Sequence, residues 1–330
     1  MNFALLILTF ITLFIILLLA RKIKSGKAER AKIRLEDALK HIYNSNKEDT
    51  PATLNSIKGH QKISDKSALE IIGNLLKSGL AYRKKNQLFL TEEGKKYALN
   101  IIKNHRLWER FLADESGLEE KHWHIEAEKM EHRLTEKERK ELRRKLGNPL
   151  RDPHGDIIPG EEDDDYDIPG ELLSEVTSLG KYKIIHVEDE PSEIYGQLVE
   201  YQLFPKTLVE VLSVAEDKIT LKTERGIISL EKSLAANLSV VPAEEEFVEN
   251  TKRLSELKVG EKATVVKLSE KLRGSNRRRL LDLGIIPGSK IEVMYENISG
   301  NPRAYNVKNT LIALRNDMAD LVLVKEEENA

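Results

Sequence analysis

The segment HIEAEKMEHRL, residues 124–134, places histidines and glutamates at helical spacing. At about 100° per residue, His124, Glu128, Glu131 and His132 fall on one face of a helix. Glu128 and Glu131 are like-charged neighbours on that face, a mildly destabilising arrangement that a divalent cation would relieve. Because imidazole and carboxylate groups suit Mn, Fe, Co or Zn, this face is a candidate metal site. A solvated charged face is the alternative interpretation of the same pattern.

Two other predicted helices carry residues of the same types. His105 and Glu109 form an i,i+4 pair in a long helix that follows residue 94, and Asp37 lies beside Glu36 in an earlier helix. Taken alone, each set is also typical of a surface ion pair. Three helices that each offer a one-sided set of histidine or carboxylate groups together favour metal binding.

The composition excludes several classes of function. The 330 residues include no cysteine, so disulfides, zinc fingers and thiol nucleophiles are excluded. No pairing of a nucleophile with a base is visible, and no glycine-rich phosphate loop, so we expect no enzymatic activity. Residues 21–150 carry 30 lysines and arginines against 20 acidic residues, whereas residues 151–330 carry 23 against 35. The basic half predicts an anionic partner, either nucleic acid or a membrane surface.

The first segment predicts a membrane anchor. Residues 3–20 are 18 residues without a charge, which at ~1.5 Å per residue nearly span a ~30 Å hydrocarbon core. The basic cluster RKIKSGK follows at once, and the positive-inside rule keeps it in the cytoplasm. A secretory signal peptide, the alternative, would need a basic first region and a small-residue cleavage site. The expected localisation is the cell inner membrane, with a single span, the N-terminus outside and the body of the protein cytoplasmic.

Residues 28–98 predict a winged helix-turn-helix. Three helical segments, RLEDALKHIYN, TPATLNSIKGHQ and SDKSALEIIGNLLKSGL, precede two short strands around a basic turn in LAYRKKNQLFLTEEG. That order of elements is typical of winged DNA-binding domains. A winged helix retained only as a protein scaffold is the alternative.

The predicted fold class is α+β and multidomain. A transmembrane helix with a basic flank (1–27) precedes the winged helix, which is followed by a helical metal-binding and dimerisation domain (99–147). Residues 148–170, with four prolines and an acidic run, predict a linker. Beyond it, LSEVTSLGKYKIIHV and LSELKVGEKATVVKL form a weak repeat with an offset of about 81 residues. Its alternating apolar residues and glycine turns predict two small SH3-like β-barrels, residues 171–242 and 253–325.

Residues 33 to about 160 resemble the diphtheria toxin repressor and manganese transport regulator family of metal-dependent repressors. The matching segments are LEDALKHIY, the winged helix, NHRLWERFL, HIEAEKMEH and DPHGDIIPG, in that order. The resemblance implies a homodimer that binds the promoters of metal-homeostasis genes under the control of Fe(II) or Mn(II). Glu128 stands where iron-type members carry cysteine, and Lys40 stands where the manganese type carries a carboxylate. The family's regulatory site maps onto Asp37, Glu128, Glu131 and His132, and its second metal site onto His105, Glu109 and His124.

The third domain of these repressors adds ligands to the second metal site, and Glu190 and Glu193 are weaker candidates for that role. The resemblance also implies which residues contact DNA. In the family the second helix of the motif enters the major groove, and here that helix is SDKSALEIIGNLLK. A carboxylate in this helix repels phosphate unless it reads a cytosine amino group. The candidate contacts are Lys66, Ser67 and Glu70 in this helix, and Arg83, Lys84 and Lys85 in the wing, which would meet the backbone.

Residues 253–325 resemble FeoA, the small SH3-like protein that accompanies the ferrous iron transporter. The matched segments are LSELKVGEKATVV, RRRLLDLGIIPGSKIEV and NTLIALRNDMADLVLV. The expected function is therefore a membrane-anchored, Fe(II)- or Mn(II)-dependent transcriptional regulator of metal homeostasis. The alternative is a metal-responsive interaction protein that regulates a membrane ferrous iron transporter through its FeoA-like domains.

Overall fold

The computed structural model describes residues 3–160, 170–248 and 250–327, with side chains from residue 25 onward. The helices of these residues are α1 (Phe3–Lys47), α2 (Leu54–Gln61), α3 (Asp65–Lys77), α4 (Glu92–Phe111), α5 (Trp123–Glu131), α6 (Glu136–Lys145), α7 (Ser192–Glu200), α8 (Lys232–Ala235), α9 (Gly274–Asp282) and α10 (Asn316–Ala319). The strands are β1 (Ala81–Lys84), β2 (Gln87–Leu90), β3 (Glu171–Leu172), β4 (Gly180–Val187), β5 (Leu208–Val214), β6 (Lys218–Thr223), β7 (Gly226–Glu231), β8 (Leu238–Pro242), β9 (Thr251–Arg253), β10 (Lys262–Leu268), β11 (Lys290–Glu296), β12 (Arg303–Val307), β13 (Thr310–Leu314) and β14 (Val322–Glu326).

The described chain divides into two compact units. The first contains the chain up to His105 together with Lys129–Lys137, so the end of α5 belongs to it. The second contains Arg106–Glu128, Glu138–Ile158 and the C-terminal sheets.

The first unit contains a helix-turn-helix with a two-stranded wing. α2 starts after a capping box formed by Thr53 and Ser56, and α3 starts after Ser64, whose hydroxyl accepts a backbone hydrogen bond. Strands β1 and β2 pair antiparallel and form the wing. One apolar core joins α1, α2, α3, α4 and the wing, and it includes Leu39, Ile42, Ile57, Ala68, Leu75, Leu88 and Ile102. This core fixes which face of α3 remains in contact with solvent.

The predicted anchor, residues 3–20, falls in α1, where only the backbone is described. Within the part of the chain that the structure describes, no helix combines the length and the apolar character that crossing a bilayer requires. On this finding, the predicted single-pass localisation at the cell inner membrane is corrected.

The two C-terminal sheets share one topology. In one sheet the strand order is β3-β8-β4-β5-β6-β7, and in the other it is β9-β14-β10-β11-β12-β13. Each sheet has its own buried core, one helix after its second strand and a short helix before its last strand. The repeat seen in the sequence therefore corresponds to two copies of one antiparallel unit, each with six strands.

Part of the predicted linker is a buried turn of the second unit. Arg151 and Ile157 form an antiparallel bridge across it. Inside the turn, Asp152 Oδ1 accepts hydrogen bonds from the backbone N–H groups of residues 154, 155 and 156, at 2.8, 2.9 and 3.0 Å. Asp152 and His154 are only 4% and 2% exposed. The linker prediction is thus corrected for residues 151–158, whereas residues 161–169, including the acidic run, lie outside the described residues.

Candidate metal centres and nucleic-acid interface

The first unit brings together three candidate metal ligands, called here the Glu131 site: Asp37, Glu131 and His132. Asp37 lies on α1, Glu131 is the last residue of α5, and His132 follows it. His132 Nε2 lies 3.2 Å from Asp37 Oδ1 and 3.6 Å from Glu131 Oε1. One ligand atom from each residue falls within 4.8 Å of the others. The glutamate and the imidazole are buried, so the site has the close, partly dehydrated arrangement that a divalent cation needs.

Hydrogen bonds from neighbouring side chains hold the ligands of the Glu131 site in place. Glu36 Oε2 lies 2.7 Å from His132 Nδ1, and the other carboxylate oxygen, Glu36 Oε1, accepts a hydrogen bond from the hydroxyl of Tyr97. A carboxylate on Nδ1 fixes the ring and leaves Nε2 facing Asp37 and Glu131, as in many histidine–metal sites. His105 Nδ1 lies 2.6 Å from Glu131 Oε2. The Glu131 site therefore fits a divalent ion on its Nε2 side.

Two positively charged groups, His132 and Lys40, affect metal binding at this site. Burial lowers the pKa of His132, but hydrogen bonds to Asp37 and Glu36 outweigh burial and raise that pKa to about 9. A metal ion must therefore displace a proton from His132 at neutral pH. Lys40 Nζ lies 3.2 Å from Glu131 Oε2 and so places an ammonium group where a further ligand would stand.

Glu128 and His105 each contact a residue outside the metal site predicted for them. Glu128 was predicted to share an ion with Glu131, but the structure places its side chain in the second unit, 3.6 Å from His124 Nε2. His105 is predicted for the second metal site with Glu109 and His124, and in the structure its ring Nδ1 also lies 2.6 Å from Glu131 Oε2.

The second unit contains another cluster, called here the His154 site: Glu109, His154 and Asp189. His154 Nδ1 lies 3.6 Å from Glu109 Oε2 and 3.5 Å from Asp189 Oδ2. His124 completes the arrangement, because its Nδ1 lies 3.1 Å from Glu109 and 2.9 Å from Asp189. On the other side of that ring, Nε2 lies 3.0 Å from Glu190 Oε1. Two imidazoles and several carboxylates therefore converge, a donor set suited to Fe or Mn.

The two ring nitrogens of His154 point to a ligand. Both are buried, and neither makes a hydrogen bond within the described residues. A buried unsatisfied nitrogen is costly, and a bound metal ion would satisfy it. Burial lowers the pKa of His154, but Glu109 and Asp189 outweigh it and raise that pKa to about 10. The residues present therefore fit a divalent ion that takes the place of the proton.

The sequence reasoning missed His154 and Asp189. His154 lies in the DPHGD segment, which is part of the predicted linker and also one of the segments that carry the family resemblance. Asp189 directly precedes Glu190, which had been named as a weaker candidate. Glu193, the other weaker candidate, is exposed on α7.

The predicted DNA contacts lie on α3 and on the wing. Lys66 and Glu70 are exposed on α3, whereas the Ser67 hydroxyl lies 3.1 Å from that of Ser64 at the helix start. In the wing, Arg83 donates to Lys85 O at 2.9 Å and to Asn86 Oδ1 at 3.1 Å. Arg83 therefore stabilises the turn, while the Lys84 and Lys85 side chains face solvent.

A basic groove beside α3 was also missed by the sequence reasoning. It has a volume of about 280 Å³ and lies between α1 and α3. Three cations of α1 line it opposite Ser67, Glu70 and Asn74, and they are Lys27, Arg30 and Arg34. The sequence predicts this part of the chain to be the basic flank of the anchor and the start of the winged helix.

Comparison with known proteins matches two parts of the chain to protein families. Residues 91–160 match the iron dependent repressor, metal binding and dimerisation domain, and residues 252–326 match the FeoA domain. The iron-dependent repressor IdeR of Mycobacterium tuberculosis is 41% identical over 73 residues, which cover 22% of this chain and 32% of IdeR. The diphtheria toxin repressor of Corynebacterium efficiens is 25% identical over 190 residues, covering 57% of this chain and 76% of that repressor.

A solved structure agrees with these matches. A manganese-dependent transcriptional repressor in complex with manganese superimposes with a TM-score of 0.58 at 26% identity, covering 63% of this chain and 99% of that structure. These matches support the resemblance of the chain to the diphtheria toxin repressor and manganese transport regulator family. The relatives named above are repressors and not enzymes, in line with the expectation of no enzymatic activity. The expected cofactor, Fe(II) or Mn(II), is likewise supported by the metals for which these repressors are named. The chain spans about a third of the length of IdeR.

Proposed function

We propose that this chain is a divalent-metal-dependent, DNA-binding transcriptional regulator that responds to Fe(II) or Mn(II). The observation that carries the proposal is the Glu131 site, which joins α1 of the winged helix to the end of α5. Asp37 belongs to the same helix as Leu39 and Ile42, whose side chains form the core of the winged helix. Any change in how α1 is held at Asp37 therefore reaches the DNA-binding helices through a packed core.

The residues of the Glu131 site each have a part in this mechanism. Glu36 holds the His132 ring so that its Nε2 faces Asp37 and Glu131. His132 gives up a proton when a metal binds, and Asp37 supplies the carboxylate from α1. A divalent ion would supply the positive charge that holds the two carboxylates and the imidazole together. The His154 site would hold a second ion through Glu109, His154 and Asp189.

The regulator is proposed to act as a homodimer on promoter DNA. Closed twofold symmetry is the commonest arrangement of soluble oligomers, and it presents two winged helices to a palindromic operator. The exposed Lys66, Lys84 and Lys85 side chains would contact phosphates, and Glu70 would face base edges. The two C-terminal sheets would serve as SH3-like interaction domains.

Genomic DNA fragments provide the direct test. The full chain should select promoter fragments when Mn(II) or Fe(II) is present and release them when a chelator is added. Asp37→Ala should abolish this dependence, whereas His122→Ala, a change at an exposed histidine outside both sites, should leave it intact. If the metal-loaded chain selects no fragment even at low salt, the regulator proposal fails.

A second candidate function follows from the FeoA match at residues 252–326. Those residues form a complete six-stranded sheet with its own buried core, as an independent interaction domain would. In this alternative the chain regulates a ferrous iron transporter through contact with its FeoA-like domain. Co-purification of such a transporter with the chain, together with an absence of DNA selection, would favour it.

A further inference from the structure

The Glu131 site contains a cation of its own. Glu131 is buried to 2% exposure, and its Oε2 faces both Lys40 Nζ at 3.2 Å and His105 Nδ1 at 2.6 Å. That oxygen is therefore occupied by two nitrogen groups, while Oε1 faces His132 Nε2. Only one of the two carboxylate oxygens is directed towards the other candidate ligands.

A buried carboxylate needs an opposite charge, and Lys40 is the permanent cation among the groups that face Glu131, beside the rings of His105 and His132. Leaving one partner of a buried pair without the other is strongly destabilising, because a buried charge is then uncompensated. Lys40 lies on α1, one turn after Asp37. Its contact with Glu131 therefore connects the same two segments, α1 and the end of α5, that a metal ion would connect through Asp37 and His132.

We propose that the Lys40 ammonium group takes the place of one metal ion in the Glu131 site. Without metal, its contact with Glu131 keeps α1 and the end of α5 together. With metal, the site binds a single ion, and Glu131 moves away from the ammonium group towards that ion. This inference rests on the proposed metal dependence and concerns how that dependence is set. On metal binding, Glu131 exchanges the Lys40 ammonium group for the metal ion. The metal therefore raises the stability of the folded chain less than it would if Glu131 had no lysine partner.

Thermal unfolding of the full chain tests the role of the charge. In a chelator, Lys40→Met should unfold roughly 5 °C below the wild-type chain, because Glu131 loses its lysine partner and keeps only the two imidazole rings. Saturating Mn(II) should close most of that gap, so the Mn(II)-induced rise should be larger for Lys40→Met than for the wild type. Lys40→Arg keeps the charge and should resemble the wild type. Lys58→Met, which removes an exposed pair with Asp65, should change little in either condition.

Lysine labelling tests the same inference on the wild-type chain, independently of whether the variants fold. Acetylation of Lys40 by an amine-reactive reagent should accelerate when Mn(II) is added, because the ammonium group leaves Glu131, while Lys58 should react at a constant rate. Equal Mn(II)-induced rises in melting temperature for the wild type and Lys40→Met would overturn the inference. So would a Lys40 labelling rate that Mn(II) leaves unchanged or lowers. Both measurements are independent of DNA, so a chain that binds no DNA would refute the proposed regulator and leave this inference standing.

Discussion

Glu131 is the residue whose removal should most affect metal binding in the first unit. It is buried, and its two oxygens face Lys40, His105 and His132. Replacement of a residue that merely orients a ligand costs about 10–100-fold in metal affinity, so Glu131→Ala should cost at least about 100-fold. Titration calorimetry with Mn(II) would measure this loss at the Glu131 site. His122→Ala, at an exposed position directly before α5, should retain the wild-type affinity, and equal losses for both variants would contradict the assignment.

His132 should make the stability of the metal-free chain depend on pH. Its pKa of about 9 lies above the ordinary value of 6.5, so its protonated ring stabilises the folded chain fully below about pH 6.5. That contribution is lost as the pH rises through about 9. In a chelator, the difference in melting temperature between the wild type and His132→Gln should therefore be larger at about pH 6 than at about pH 9. A difference that grows with pH would show that the ring is held neutral.

The helical spacing of residues 124–134 predicted which residues could bind metal, but it did not predict which of them lie together. A continuous helical face would place His124, Glu128, Glu131 and His132 side by side, but α5 ends at Glu131. His132 lies beyond the helix end, so its ring turns towards Glu36 and Asp37 instead of following the helical spacing. Asp37 and Glu109 are matched through the family resemblance, since residues so distant in sequence cannot be paired by spacing alone.

At the scale of elements, the turn at residues 151–158 positions the His154 site. Gly155 has a φ of 101°, and a Cβ atom there would lie 2.1 Å from the carbonyl oxygen of Ile185. Gly155→Ala should therefore distort the turn and destabilise the second unit by about 2 kcal/mol or more. Metal affinity at the His154 site should fall with it, as measured by calorimetry alongside denaturant unfolding.

Gly59→Ala is the matched control for this change. Gly59 lies within α2, where an added Cβ meets nothing within 4 Å. Alanine is the better helix former by about 1 kcal/mol, so this variant should be as stable as the wild type or more so. If Gly155→Ala behaved in the same way, the turn would not be the support of the His154 site.

The elements themselves were largely predictable, because their signals are local. The N-cap Ser64, the apolar spacing of α3 and the basic turn of the wing each specify one element of the winged helix. The turn around Asp152 has no such signal. Its prolines and charges are typical of a linker, and only burial against β4 and the three hydrogen bonds to Asp152 make it part of the second unit.

At the scale of the whole molecule, the excess of basic residues in the N-terminal half is expected to appear in the salt dependence of DNA binding. Each phosphate contact releases a counterion, so its loss flattens the slope of log K against log salt by about 0.9. Lys84→Ala and Lys85→Ala should each have this effect and should weaken binding almost equally on all sequences. Arg83 also stabilises the wing turn through Lys85 O and Asn86, so Arg83→Ala should in addition lower the stability of the wing.

The basic groove beside α3 should add phosphate contacts that the wing alone does not provide. Arg30 and Arg34 line it next to Ser67 and Glu70, so DNA that reaches the exposed face of α3 also approaches these two cations. The double variant Arg30→Ala/Arg34→Ala should reduce the salt slope by up to about 2, measured by fluorescence anisotropy on any duplex. Lys258→Ala/Arg277→Ala removes the same charge from exposed positions of the second unit and should leave the slope unchanged. Equal slopes for both double variants would mean that net charge alone, and not the groove, attracts the DNA.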